Sequence, residues 1–216
     1  MIKVENVSKE IKRKAVLKDI TVEFLPGQIY GVFGRNGSGK TMLLRSIAGL
    51  IVPTAGTVKI NDEVLHEKIS FPPSLGIIIE NMELLPQYDA MTNLKILAKI
   101  RKVATEQDMI EAIEAVGLDP TSKLKVKKYS LGMKQRLNIA QAIFEKPDII
   151  LLDEPTNAID QSGVNLIQEL LVREKQRGAT ILVSSHQKED IEKICDHVIY
   201  MDEGRIVVDQ GRIVNE

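Results

Sequence analysis

The spacing of apolar and polar positions changes several times along the chain. Over residues 2–24 it is β-rich in short runs, among them Ala15-Val16-Leu17 and Ile20-Thr21-Val22-Glu23-Phe24, closed by the turn pair Pro26-Gly27; short strands are expected there. Gln28-Ile29-Tyr30-Gly31-Val32-Phe33 is instead almost continuously apolar, as in a strand covered on both faces, and a glycine-rich loop and a helix over residues 42–50 follow it. From about residue 92 to 145 the period becomes helical, with Leu94, Leu97 and Ala98, then Met109, Ile110, Ile113 and Val116. Thr105-Glu106-Gln107-Asp108 reads as a capped helix start, Gly117 as a stop and Asp119-Pro120 as the opening of a loop. Ile149-Ile150-Leu151-Leu152 and Thr180-Ile181-Leu182-Val183 are again buried strands, separated by a helix whose core face carries Val164, Ile167, Leu170 and Leu171. Val198-Ile199-Tyr200-Met201 and Arg205-Ile206-Val207-Val208, around Asp202-Glu203-Gly204, complete a hairpin. The order predicts a parallel α/β domain with an inserted helical subdomain.

Bulk properties narrow the class without naming a chemistry. A chain of 216 residues suffices for one sizeable core with a satellite subdomain. Because 29 basic residues nearly cancel 30 acidic ones, nothing favours nucleic acid as a partner. Lys123, Lys125, Lys127 and Lys128 read as a solvated loop. The one cysteine, Cys195, lies four residues after Ile191 in a helix-like run and reads as core, which suits a reducing compartment. No stretch has the apolar core of a signal peptide or the ~20 apolar residues of a membrane span, so work at a membrane requires another protein to hold the chain there.

Gly34-Arg35-Asn36-Gly37-Ser38-Gly39-Lys40-Thr41 fits the phosphate-loop pattern G-x-x-x-x-G-K-[ST], directly after a strand and before the helix that Met42 opens. Glycines let consecutive N–H groups turn toward phosphate oxygens, and the helix aims its positive end at the same anion. Lys40 is expected on the β- and γ-phosphates and Thr41 on Mg²⁺. The competing reading, a Gly/Ser-rich surface turn, requires a chance match of about one in a hundred for such a chain. Ile149-Ile150-Leu151-Leu152-Asp153-Glu154 then places carboxylates at the end of a buried strand, where parallel sheets bind ligands. Asp153 suits Mg²⁺ held through water, and Glu154 suits orientation or deprotonation of a water attacking the γ-phosphate.

Between these motifs stands Tyr129-Ser130-Leu131-Gly132-Met133-Lys134-Gln135-Arg136, which resembles the signature of ATP-binding-cassette (ABC) proteins. Ser130, Gly132, Gln135 and Arg136 match the usual form; Tyr129, Leu131 and Met133 depart from it. Glu154-Pro155-Thr156-Asn157-Ala158-Ile159-Asp160 resembles the family's D-loop and Ser184-Ser185-His186 its H-loop, in the family's order. The resemblance covers the whole chain and implies a P-loop NTPase of α/β class: a RecA-like core, an N-terminal antiparallel β subdomain and an inserted α-helical subdomain. It divides one ABC ATPase domain, 1–216, into β subdomain and core (1–80), helical subdomain (about 81–145) and core (146–216). It further implies Mg-ATP hydrolysis by two cassettes stacked head to tail, as a homodimer or a cassette heterodimer with ATP at the interface. Ser130 and Gly132 would then touch the γ-phosphate held by the partner cassette, Asp160 would link the two, and His186 would hydrogen-bond the γ-phosphate and Glu154. An integral-membrane permease would hold the chain at the cytoplasmic face of the membrane and dock near residues 80–97.

Two departures matter. Where the family has a glutamine contacting Mg²⁺ and the attacking water, this chain has Glu80, expected to serve as a catalytic and metal-binding residue. Glu80 together with Ser130-Leu131-Gly132-Met133-Lys134 resembles cassettes of bacitracin and lantibiotic immunity exporters. The aromatic residue that stacks on adenine is replaced by Ile11, with Val16 nearby, so apolar contact from both is expected and preference for ATP over GTP is implied by the family alone. His66 and His197 lack such context. A soluble ABC ATPase of DNA repair or translation would need tandem cassettes or a long coiled coil, which this pattern lacks; a module using ATP only to dimerise is opposed by Glu154.

Overall fold

The computed structural model describes residues 1–80 and 83–211, with residues 208–211 described by backbone alone. At its N-terminus β1 (Ile2–Ile11) and β2 (Lys14–Phe24) form one long antiparallel hairpin. Several short strands were expected here. Register shifts between Val4 and Val7, Val7 and Lys9, and Lys9 and Glu10 explain the difference, because such irregularities break the period-2 pattern and bend a strand without ending it. Asn6 and Asp19 take the positive φ at which those two residue types are enriched. β4 (Ala55–Ile60) and β5 (Glu63–Val64) extend this sheet to the order β2-β1-β4-β5.

The second sheet has the order β10-β9-β3-β8-β7-β6, built from β3 (Ile29–Phe33), β6 (Leu75–Ile78), β7 (Ile149–Asp153), β8 (Thr180–Ser185), β9 (His197–Asp202) and β10 (Arg205–Gly211). Its strands pair in parallel except for the β9–β10 hairpin. Alternation divides each apolar run between two cores. Tyr30, Val32, Leu151, Leu182 and Ile199 pack toward the N-terminal sheet and α1 (Lys40–Ile47). Ile29, Phe33, Ile150, Leu152, Ile181 and Val183 pack toward the remaining helices, which is why these strands read as unbroken apolar segments. Leu43, Leu44 and Ile47 are fully buried, and at roughly 1.5–3 kcal/mol for each such side chain their packing anchors α1.

Helices α2 (Ala90–Arg101), α3 (Glu106–Ala115) and α4 (Leu131–Ile143) fall between β6 and β7 in the chain. As those strands are parallel neighbours, the helical insert is also their crossover connection. Asp89, Thr105, Ser130 and, for α5 (Gln161–Gln176), Asp160 cap these helices with side-chain oxygens. The expected start at Thr105 is a full capping box, and Gly117, at φ 72°, ends the segment as expected. Cys195 is buried, as expected, but the run before it is a short 3-10 turn, Glu192–Ile194, rather than an α-helix. Its thiol donates to the Ile191 carbonyl at 3.3 Å.

Asp108 joins that capping box to Lys146 at 2.6 Å, and the Lys146 ammonium followed by the Thr105 hydroxyl holds its carboxyl down at about 2, from an ordinary 3.8. A depressed native value stabilises the fold above the ordinary value, and the contribution drains away as pH falls through the native one. Asp108→Asn is therefore expected to cost about 1 kcal/mol at pH 7. The difference from the unsubstituted chain, read by urea unfolding, should shrink as pH falls from 3.8 toward about 2; equal stability at pH 7 would refute the cap's contribution.

Candidate functional site

The loop from β3 to α1 is shaped by positions that refuse a side chain. A Cβ on Gly34 would lie 2.3 Å from the Met201 carbonyl oxygen, and one on Gly39, at φ 108°, would lie 3.0 Å from that of Val16. The turn of the β9–β10 hairpin braces the loop from outside, since Gly204 N–H donates to the Ser38 carbonyl and Lys18 N–H to that of Gly204, both at 2.8 Å. Lys40 is only 6 % exposed; its ammonium donates to the Gly34 and Arg35 carbonyls at 2.7 and 3.2 Å. The buried Ser38 hydroxyl has no partner among the described residues. A buried donor of this kind, inside a loop whose amides open toward the start of α1, suits an anionic oxygen.

β7 ends beside this loop. Thr41 donates its hydroxyl to Asp153 Oδ2 at 2.7 Å, and the Ser184 hydroxyl donates to Asp153 Oδ1. Glu154 follows in the left-handed region, φ 51°, a conformation uncommon outside glycine, asparagine and aspartate. Its N–H donates to the Ser184 carbonyl at 2.9 Å, and the turn turns the carboxylate toward Lys40 at 3.9 Å and His186 Nδ1 at 2.8 Å. His186 N–H also approaches Glu154 Oε2 at 3.3 Å. A carboxylate only accepts, so Nδ1 is the donor of this pair.

A cavity of about 810 Å³ opens over these groups, lined by Asn36, Gly37, Gly39, Lys40, Thr41 and Met42 on the loop side and by Asp153 and Glu154 at the end of β7. On the hairpin side it is lined by Arg13, Lys14, Ala15, Val16, Lys18, Glu203 and Gly204. Among the described residues no group of His, Cys, Asp and Glu is sufficient to hold a metal by itself. The hydroxyl of Thr41 and the carboxylate of Asp153 are hard oxygen donors suited to Mg²⁺, which keeps waters and takes phosphate oxygens to complete its shell.

Two residues expected at the nucleotide do not line this cavity. Val16 lines the cavity, but Ile11 does not; the hairpin register pairs Ile11 with Lys14 and brings the turn residue Arg13 to the rim instead. Glu80 is also absent from the lining, and Arg45 in the last turn of α1 meets its carboxylate at 2.7 Å. Asn81 and Met82, which follow it, lie outside the described residues.

Ser130, Gly132 and Asp160 do not reach the phosphate loop of their own chain's cavity. Ser130 accepts from Met133 N–H at 3.1 Å, and a Cβ on Gly132 would lie 2.8 Å from the Ala158 carbonyl oxygen. Asp160 accepts from Ser162, Gly163 N–H and Arg136, which in that order hold its carboxyl below the usual carboxylate range. Sequence reasoning assigned no role to Gln135, whose amide donates to the Glu154 and Pro155 carbonyls at 3.4 and 3.2 Å and ties α4 to the turn behind Glu154. Lys18 and Glu203 were also missed; only the hairpin's return over the loop reveals them.

Residues 17–157 match the family model described as ABC transporter. The chain is 61% identical to an uncharacterized ABC transporter ATP-binding protein, YybJ of Bacillus subtilis (strain 168), over 95% of this chain and 94% of that one. It is 37% identical to the bacitracin transport ATP-binding protein BcrA of Enterococcus faecalis, over 96% of this chain and 68% of that one. Among solved structures, the dimeric bacterial ABC transporter cassette MJ0796 superposes with a TM-score of 0.88 at 24% identity, covering 98% of both chains.

In the Arg45–Glu80 pair the carboxylate is exposed and the arginine half-buried, and solvent-screened pairs contribute about 1 kcal/mol or less. Glu80→Gln is accordingly expected to leave the ATP affinity of the purified chain within about threefold. Titration checks this, and a loss of tenfold or more would put Glu80 at the phosphates.

Proposed function

The chain belongs to the ABC transporter family of ATP-binding proteins and is an ATPase of that family; on this premise we propose that it drives export by a separate membrane subunit, with peptide antibiotics as the cargo class. The observation that carries the catalytic part is the convergence, at the carboxyl ends of β3, β7 and β8, of buried Lys40, the Thr41–Asp153 pair and the Glu154–His186 pair. Open α/β sheets bind ligands at that edge.

The loop 34–41 takes the phosphates through its amides, and Lys40 exchanges the Gly34 and Arg35 carbonyls for β- and γ-phosphate oxygens. Thr41 and Asp153 would hold Mg²⁺, which would supply neutralisation of the charge developing on the phosphate oxygens. Glu154 accepts a hydrogen bond from the attacking water and orients it, and His186, donating through Nδ1, fixes the carboxylate. Ser130 and Gly132, at the start of α4, face a second cassette's triphosphate, with Asp160 at the junction between the two.

The membrane subunit docks near residues 80–97, where Leu85 and Tyr88 are exposed. Among the described residues no helix is long and apolar enough to cross a membrane; the family likeness supports work from the cytoplasmic face, held by a permease. The cargo class is supported by the likeness to the bacitracin transport protein.

Glu154→Gln is expected to lower steady-state ATP turnover about a thousandfold while ATP binding persists and ATP-bound dimers accumulate on gel filtration. Retained turnover would refute Glu154 as the group that handles the water. For transport, co-purification with a membrane subunit followed by stimulation of ATPase by peptide antibiotics supports the cargo assignment, and indifference to every peptide sinks it.

A further inference from the structure

A purine needs a flat or apolar wall, and this cavity has no aromatic one. None of its lining side chains is Phe, Tyr, Trp or His. Beyond the phosphate loop, the wall is formed by Ala15 and Val16 at the start of β2 and by the cations Arg13, Lys14 and Lys18. Of these only Arg13 carries a planar, delocalised group able to stack face to face on a π system; an ammonium is a strongly hydrated point charge.

The backbone holds Arg13 there at a cost. Ile11 pairs with Lys14, leaving Lys12-Arg13 as a two-residue hairpin turn, and both take positive φ, 49° and 65°. Such turns match the twist of their strands but favour Asn-Gly or Asp-Gly. Two long cations in that conformation are local strain, and strain of this kind concentrates at ligand sites.

We propose that Arg13 is the base-binding residue of this chain: its guanidinium stacks on the purine, the Val16 side chain supplies apolar contact from β2, and recognition through the ring face admits adenine and guanine alike. The inference rests on the nucleotide reading above and deepens it. Every base presents a π face, so stacking tolerates changes in exocyclic groups that directed hydrogen bonds would reject. ATP and GTP are then both substrates of the same site.

The test compares affinities of the full chain for Mg-ATP, Mg-GTP and Mg-tripolyphosphate, which has the phosphates but no base. The unsubstituted chain should bind ATP and GTP within about threefold of each other. Arg13→Lys, which keeps the charge and loses the plane, should weaken both nucleotides roughly tenfold and leave tripolyphosphate unchanged. Arg13→Tyr should restore them. Arg13→Gly, which suits the positive φ, should raise the thermal midpoint while weakening both nucleotides, an opposition that a purely structural turn residue would not produce. The proposal is overturned if Arg13→Lys leaves nucleotide affinity intact, if it weakens tripolyphosphate equally, or if the unsubstituted chain prefers one purine by tenfold or more. Failure of the unsubstituted chain to bind tripolyphosphate at all would overturn the phosphate-loop reading too, so the two failures are told apart.

Discussion

The hydrogen bond from Thr41 to Asp153 spans 112 positions of sequence, and the rest of the site is arranged around it. It joins the first turn of α1 to the last residue of β7, so it forms only when β3, β8 and β7 lie side by side with their carboxyl ends at one edge. The parallel register sets that edge, and the two apolar cores on either side of the sheet set the register. Ser184, at the end of β8, closes the arrangement from the other side of Asp153. A carboxylate that is only 9 % exposed is tolerated because hydroxyl donors meet both its oxygens.

Positive φ outside glycine occurs at hairpin turns and element ends throughout the described residues, and at the site it aims particular side chains. Glu154, Ala158 and Arg13 all take positive φ without being glycine, at 51°, 62° and 65°. Around Glu154 the distortion is held by fixed partners, with its N–H on the Ser184 carbonyl and Gln135 on its own carbonyl. The consequence is directional: an ordinary extended residue would continue the line of β7, whereas the left-handed turn swings the carboxylate toward His186 and Lys40. At Arg13 the same device places a guanidinium at the rim of the cavity.

A single chain satisfies its own polar groups at the surfaces expected to meet a second cassette. Ser130 and Asp160 cap α4 and α5, and Asp160 is further engaged by Arg136. Those local bonds keep both helix starts ordered, so a partner's phosphates would meet a surface already in place rather than one that must be assembled. Gln135 links that surface to the turn behind Glu154, a direct connection between the signature segment and the site in the same chain.

Features that depend on near neighbours in the chain can be read without the fold. The loop 34–41, the strand ending in Asp153-Glu154, the capped start at Thr105 and the stop at Gly117 were legible because each is a short pattern with its own backbone logic. The apolar runs of β3, β7 and β8 declared two-sided burial, and with it a parallel sheet. Legibility failed where an outcome depended on a remote partner or on local register. The N-terminal strands looked short because bulges break alternation while pairing continues. Glu80 was expected at the phosphates, but the tertiary fold sets Arg45 beside it. Ile11 was expected on the base, but the hairpin register pairs it with Lys14 and turns Arg13 to the cavity, while Glu203 and Gly204 arrive there only because β9 and β10 return across the loop. A motif specifies its own backbone; which side chains from distant segments share its space is decided by packing, and packing exists only in the folded chain.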